Sequence, residues 1–274
     1  MNGRGGRTVL LHAGLILGAV LTLAPLLWMT AVSFMAPGEA NTARLNLWPQ
    51  DPTLDNYRQL FGRLDMARSF LNSAVVTVLA TVLSVLVNSL AGYALAKLPF
   101  PGRDTLFKRL TAAMVVPAQV GMLPLFLLLR ELGLVNTYAG VLVPYLASIF
   151  GMVLIRQYAL GIPDDLLDAA RVDGAGELRI FRTVALPIMT PILATMAAFT
   201  FLAAWNDFMW PLIVLSDDAL QTLPVALAKL AGEHVQDTEL MMAGSVVTIL
   251  PPLIVFLLFQ KTYVEGITAG GVKE

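Results

Sequence analysis

"IPDDLLDAARVDGAGELRIFRTVALPIMTP", residues 162–191, gathers eight charged side chains, three prolines and two glycines between two runs that carry almost no charge. A segment of this kind belongs where water reaches it, and the greasy runs on either side belong where water does not. Pro163 has the fixed φ that suits the first helical position, and Asp164 and Asp165 follow in the first turn, where the helix macrodipole favours anions. Asp164, Asp168 and Arg171 recur at i, i+4 and i+7 as one polar stripe, while Leu166, Ala169 and Ala170 fall on another side. Val172-Asp173-Gly174 reads as the stop, with Gly174 able to take the left-handed conformation past a helix end. A second short helix is expected from about Ala175 to Val184, and Pro187 and Pro191 shape the entry to the next apolar run. The adjacent alanines leave a low face that another surface can approach closely. Periodicity leaves two readings open: an ordinary amphipathic helix at a membrane surface, or a docking element for another protein.

The rest of the chain supports lipid as the solvent. Of its 274 residues 57% are hydrophobic and only 14% charged, with a mean hydropathy of +0.73; a soluble domain carries nearer a quarter charged residues. A formal net charge of −1 offers no argument for nucleic acid. The absence of cysteine excludes disulfides, thiolate metal sites and cysteine nucleophiles, and two histidines, His12 and His234, leave little for a histidine-based metal site.

A spanning helix needs about 20 apolar residues, because each adds roughly 1.5 Å across a hydrocarbon core about 30 Å thick. Stretches free of Asp, Glu, Lys and Arg run over 8–38, 69–96, 110–129, 132–155, 183–206 and 240–260. Backbone polar groups in lipid must be satisfied internally, so these runs predict six transmembrane helices. The expected class is an all-α polytopic membrane protein forming one transmembrane domain over 1–274, with spans near 9–35, 70–96, 108–129, 136–158, 185–215 and 240–262 and a charged loop over 160–184. Arg4 and Arg7 before the first run are reminiscent of a signal peptide, but the run exceeds a usual h-region and reads as an uncleaved span.

Lys and Arg set the orientation. With the N-terminus inside, twelve of the 18 fall on inner segments and six on outer ones, Arg44, Arg58, Arg63, Arg68, Arg130 and Lys229. Both termini and the loop 160–184 are therefore expected to be cytoplasmic. The largest outer segment, about 36–68, is too short for a core of its own, although "TLDNYRQLF" is able to form a short interfacial helix.

"DAARVDGAGELRIFRTVALP", residues 168–187, resembles the cytoplasmic signature of permease subunits of bacterial ABC importers: E-A-A, three variable residues, G, and later a terminal L-P. The signature falls on Asp168-Ala169-Ala170, Gly174 and Leu186-Pro187, and the preceding "RQYALGIPDDLL" is similar to the family's lead-in. Asp168 stands where Glu is usual, keeping the charge with one methylene less reach. "FTFLAAWNDFMWPLIVL", "QTLPVALAKLAGEH" and the C-terminal "PPLIVFLLFQKTYVEGITAGGVKE" resemble the carbohydrate-importer branch, on the side of the second, shorter permease subunit of maltose-type systems.

The resemblance implies that loop 160–184 is a coupling helix between spans four and five, docking on a cytoplasmic ATPase and passing nucleotide-driven closure to the membrane helices. Its site residues are then Pro163, Asp164, Leu167, Asp168, Ala169, Ala170, Asp173, Gly174 and Pro187, with Asp168 contacting the ATPase and Gly174 permitting the turn. It also implies a heterodimer with a second permease subunit, two copies of the ATPase subunit and an extracytoplasmic solute-binding protein that delivers a sugar. The setting is the bacterial inner membrane, and the tail Gly266 to Glu274 resembles one that reaches toward the ATPase.

Asp207 is the leading candidate for lining a pathway, with Asn206 beside it, because intramembrane charge is costly and faces protein interior or water. Trp205 and Trp210 flank it, and an indole there either stacks on a sugar face or anchors the helix at the membrane interface. Asn88, Gln119 and Gln157 are weaker candidates, since a lone polar residue in a span often only bonds a neighbouring helix. Pro117, Pro124, Pro144, Pro211, Pro251 and Pro252 are expected to kink their helices. No catalytic triad, metal cluster or phosphate-binding loop emerges, so no cofactor is expected on this chain, and ATP and Mg are assigned to the partner ATPase. Two rivals remain: a secondary transporter or channel without an ATPase, and an importer of a non-sugar solute.

Overall fold

The computed structural model describes residues 3–41, 46–62, 65–233 and 237–269, and among them all regular structure is helical. His234, Arg44, Arg63 and the tail beyond Ala269 lie outside the described residues. In chain order the helices are α1 (Gly3–Ser33), α2 (Asp55–Gly62), α3 (Met66–Lys97), α4 (Arg103–Ala113), α5 (Ala118–Glu131), α6 (Tyr138–Leu146) and α7 (Ile149–Leu160). Next come α8 (Asp164–Val172) and α9 (Glu177–Ile180), whose π-turn Phe181–Ala185 leads into α10 (Leu186–Ile188). Then follow α11 (Thr190–Trp205), α12 (Met209–Val214), α13 (Leu223–Glu233) and α14 (Thr238–Ala269).

Among the described residues three helices are long and apolar enough to cross a membrane unaided: Leu10–Ser33 of α1, α3, and Thr238–Gln260 of α14. Three further apolar stretches are bent pairs: α4 with α5 at 104°, α6 with α7 at 40°, and Glu177–Ile188 with α11 at 80°. The first bend has its cause in Pro117, which adopts φ −59°, ψ 135° ahead of α5 and drives its predecessor out of helical conformation. At the second, Ala147 is extended at φ −131°, ψ 96°, and the Ser148 side chain restarts the helix by accepting from Gly151 N. Pro251 and Pro252, expected to kink, lie inside the continuous α14.

Within the stretch read as one transmembrane domain, packing distinguishes two compact units, Met1–Arg68 with Ala226–Leu250, and Ser69–Val225 with Pro251–Glu274. In the first, the "TLDNYRQLF" stretch forms α2. Its buried Asn56 donates to the carbonyl of Ser33 at 3.0 Å, an acceptor that α1 leaves free at its end, and to that of Met35 just beyond it at 2.8 Å. Glu239, in the first turn of α14, accepts from Ala40 N at 2.7 Å.

In the second unit one apolar cluster joins Tyr93 and Ala96 of α3, Ile155 and Ala159 of α7, Leu167 of α8, and Ile180, Phe181, Ala185, Met189 and Met196 of the run into α11. Another joins Val76, Leu129, Val141, Trp210 and Val214. Outward-facing side chains invert the soluble pattern: Leu10, Leu15, Leu17, Val20 and Leu21 of α1 are exposed on successive turns. A surface of that kind needs lipid or protein against it.

Candidate functional site

The charged loop folds as two short helices joined by a tight turn. Pro163 sits one residue earlier than its sequence reading, as the N-cap of α8 at φ −59°, ψ 129°, with Asp164 and Asp165 in the first turn. The end of α8 is closed by a paired set of backbone bonds: Ala175 N donates to Ala170 O and Gly174 N to Arg171 O, both at 3.0 Å. This pairing requires a left-handed residue just past the helix end, and Gly174 supplies it at φ +78°. The second helix starts at Glu177 rather than near Ala175, because Gly176 is extended at ψ 158°. It widens into the π-turn before Pro187, whose ring lacks an N–H and crowds the carbonyl four residues back.

The two ends of α8 are held by ion pairs. Lys97 Nζ, the last residue of α3, donates at 2.6 Å to both Ile162 O and Asp164 Oδ1. The Lys97 side chain is only 6% exposed although its Asp164 partner is 75% exposed. That hydrogen bond, helped by the lysine charge, holds the Asp164 carboxyl below the usual carboxylate range. At the other end Arg171 donates to Asp168 Oδ1 at 2.6 Å and to Glu177 Oε1 at 2.8 Å, clipping α8 to α9 across the turn. Hydrogen bonds to Glu177 and then Asp168 push the Arg171 guanidinium above its already high value.

The residues of the loop divide by direction. Leu167 is buried at 1% exposure and acts as the knob that seats α8 on the chain's own core. Ala170 packs against the same core, whereas Ala169 is exposed, so the alanine pair does not form one shared face. Asp165, Asp168, Asp173, Gly174 and Pro187 are exposed. Leu166, Val172 and Leu178 are also exposed, Val172 at 88%. Local spacing allowed the Asp168–Arg171 pair to be anticipated at i, i+3; no local pattern links Lys97 to Asp164.

At the α11–α12 break Asp207 is half-buried and its carboxyl is used twice. Oδ2 accepts from the Tyr145 hydroxyl of α6 at 2.5 Å, and Oδ1 accepts from Trp210 N at 3.3 Å, capping α12. Asn206 is exposed, with its amide donating to Leu202 O at 2.8 Å. Both tryptophans belong to this chain's interior: Trp205, 2% exposed, packs on Phe70 and Phe201, and Trp210 Nε1 donates to Gly140 O at 3.3 Å. Asn88 is fully buried, with Nδ2 donating to Ser84 and Oδ1 accepting from Ser148 N at 2.9 Å, the amide freed at the α6–α7 break. Among the described residues, no cluster of three or more His, Cys, Asp or Glu side chains is arranged to hold a metal ion.

An all-helical chain with several apolar helices and a clipped, charged helix pair between two of them defines a polytopic membrane protein built around an exposed loop. Residues 88–268 match the family of binding-protein-dependent transport system inner membrane components, and the chain belongs to that family. It is 40% identical over 267 residues to the arabinooligosaccharides transport system permease protein AraQ of Halalkalibacterium halodurans, covering 96% of each chain. It is 33% identical over 263 residues to the diacetylchitobiose uptake system permease protein NgcG of Streptomyces coelicolor, covering 94% of this chain and 87% of that one. Among solved structures, a bacterial ABC transporter involved in the import of the acidic polysaccharide alginate contains a chain superposing with a TM-score of 0.82 at 28% identity, covering 95% of this chain and 98% of that one.

Proposed function

We propose that this chain forms half of the translocation pathway for a sugar or oligosaccharide in an ATP-driven importer of the inner membrane. Two of its relatives are named for the transport of arabinooligosaccharides and the uptake of diacetylchitobiose, which favours a carbohydrate substrate. The three uninterrupted apolar helices and the three bent pairs, each counted as one span, give six spans, with both termini and loop 160–184 cytoplasmic, in keeping with the twelve-to-six distribution of Lys and Arg. The partners are a second permease subunit, two copies of an ATPase that holds ATP and Mg, and an extracytoplasmic solute-binding protein.

The observation that carries the coupling role is the exposed apolar set Leu166, Val172 and Leu178 on an otherwise charged loop. Exposed side chains of this size beside fixed charges suit a protein groove, with Asp165 and Asp173 at its rim. Asn206 and Asp207 are the pathway residues best supported by position, since Trp205 and Asn88 spend their groups within the chain.

The test is reconstitution of the complete transporter in liposomes with its binding protein. Stimulated ATP hydrolysis and sugar uptake are expected, and both should fall sharply in Leu166→Glu with Val172→Glu while the chain stays in the membrane. Wild-type stimulation and uptake surviving that double change would remove the loop from the ATPase interface. Uptake by the chain alone, without ATP, would return the protein to the secondary transporters.

A further inference from the structure

Among the buried polar side chains of helix α3, Asn72, Asn88 and Lys97 each hold a different element. Near its start Asn72, 6% exposed, donates to Ala219 O at 3.0 Å and Gln221 O at 2.9 Å and accepts from the Tyr138 hydroxyl at 2.7 Å. Asn88 holds the freed amide of Ser148 at the α6–α7 break. At its last residue Lys97 holds Ile162 O and Asp164 Oδ1 at the base of α8. Twenty-five positions separate Asn72 from Lys97, about 38 Å of helix at 1.5 Å per residue. Between them Gly92 brings α3 so close to α7 that a Cβ there would lie 2.7 Å from Ile155 Cγ2. The helix is therefore attached at both ends and the middle by groups that lose their partners if it slides.

We propose that Lys97 is a positioning residue for coupling. It ties the base of α8 to α3, which carries displacement of the loop along its length to the 219–221 turn held by Asn72. This rests on the reading of loop 160–184 as the ATPase-docking element. Without Lys97, the base of α8 is joined to the bundle through Leu167 packing and the short link from α7. Buried, hydrogen-bonded polar groups resist displacement because breaking them leaves unsatisfied partners out of water. They therefore transmit a push that a sliding apolar contact would absorb.

The experiment uses the complete transporter in liposomes with its sugar-loaded binding protein, reading ATP hydrolysed per sugar taken up and recovery of the ATPase by co-purification. Lys97→Ala should keep the complex and raise the ratio about fivefold, the lower end of coupling factors between two sites. Lys97→Arg, which keeps charge and donor, should return the ratio toward wild type, and Asn72→Ala should raise it. If Lys97→Ala does not assemble, Asp164→Asn decides, read where the ATPase still co-purifies, because the variant then has lost the Lys97 ion pair with docking retained. An unchanged ratio in Lys97→Ala, or in Asp164→Asn in that event, overturns the proposal; a raised ratio that Asn72→Ala does not reproduce overturns the role of α3. A wild-type complex without binding-protein-stimulated hydrolysis would instead sink the functional reading itself.

Discussion

The Tyr145 hydroxyl donates to Asp207 Oδ2 across 2.5 Å, joining α6 to the break between α11 and α12. One carboxyl thus serves two bent stretches, since its other oxygen caps α12 at Trp210 N. Tyr145→Phe removes a single donor without changing shape and should lower stability by about 1 kcal/mol, the net worth of one hydrogen bond. Thermal unfolding of the purified complex measures it. If Asn206 and Asp207 line the pathway, Asn206→Ala with Asp207→Ala should change the kinetics of sugar uptake more than the yield of assembled complex. Unchanged kinetics with reduced yield would confine both residues to holding the break.

Gly174 is fixed by its backbone and not by crowding. At φ +78° it lies in the left-handed region, and a Cβ built on it meets nothing within 4 Å. Gly174→Ala should therefore cost about 1 kcal/mol of conformational strain, Gly174→Val more, and Gly174→Asn least. The order Asn, Ala, Val in both thermal stability and ATP-coupled uptake is the expected result. An order that follows side-chain volume alone, with Asn worse than Ala, would point to a partner surface pressed against this position.

Charge-free runs were enough to place α1, α3 and the apolar part of α14, because an uninterrupted apolar helix writes its whole length in local composition. The bends were less legible. Pro117 announced one, but the α6–α7 break falls three residues beyond Pro144 and is held by Asn88, sixty positions upstream. The loop showed the same division. Gly174 and the acidic first turn of α8 were readable locally, while the Lys97–Asp164 pair depends on α3 ending beside α8. Trp205 shows a related limit: an indole near a helix end has the same local signature whether it meets lipid, sugar or, as here, Phe70 and Phe201.

The Lys97–Asp164 pair gives a pH dependence of definite sign. Because Lys97 holds the Asp164 carboxyl below its ordinary value, the pair's contribution is fully present above the ordinary carboxylate range. It is lost as pH falls through the lowered value in the folded protein. The difference in melting temperature between wild type and Asp164→Asn should therefore be flat from about pH 5 to 8 and shrink below about pH 4, where aspartate ordinarily titrates. Added salt should shrink it as well, since Asp164 faces solvent. A difference that grew toward acid pH would mean that Asp164 is not stabilised as the anion.

Three glycines with contrasting surroundings test whether close helix contact is needed where the structure places it. A Cβ on Gly92 would lie 2.7 Å and 2.8 Å from Ile155 Cγ2 and Cβ and 3.1 Å from Arg156 N. These atoms sit at the stem of a β-branched side chain and on the backbone of α7, so relief requires α3 and α7 to move apart. Gly92→Ala should destabilise by about 1–3 kcal/mol, the usual cost of overpacking. On Gly244 a Cβ would meet Leu227 Cδ1 at 2.5 Å, the free end of a flexible side chain that is able to rotate away. Gly244→Ala should therefore cost less than Gly92→Ala. Gly18 has nothing within 4 Å, and Gly18→Ala should be neutral or stabilising by up to about 1 kcal/mol, as expected for replacing glycine within a helix. Melting temperatures of the three variants in one lipid environment should rank Gly18→Ala highest and Gly92→Ala lowest. If Gly92→Ala melts with wild type, α3 and α7 do not pack through this glycine, and α3 loses the contact that keeps it from sliding between Asn72 and Lys97.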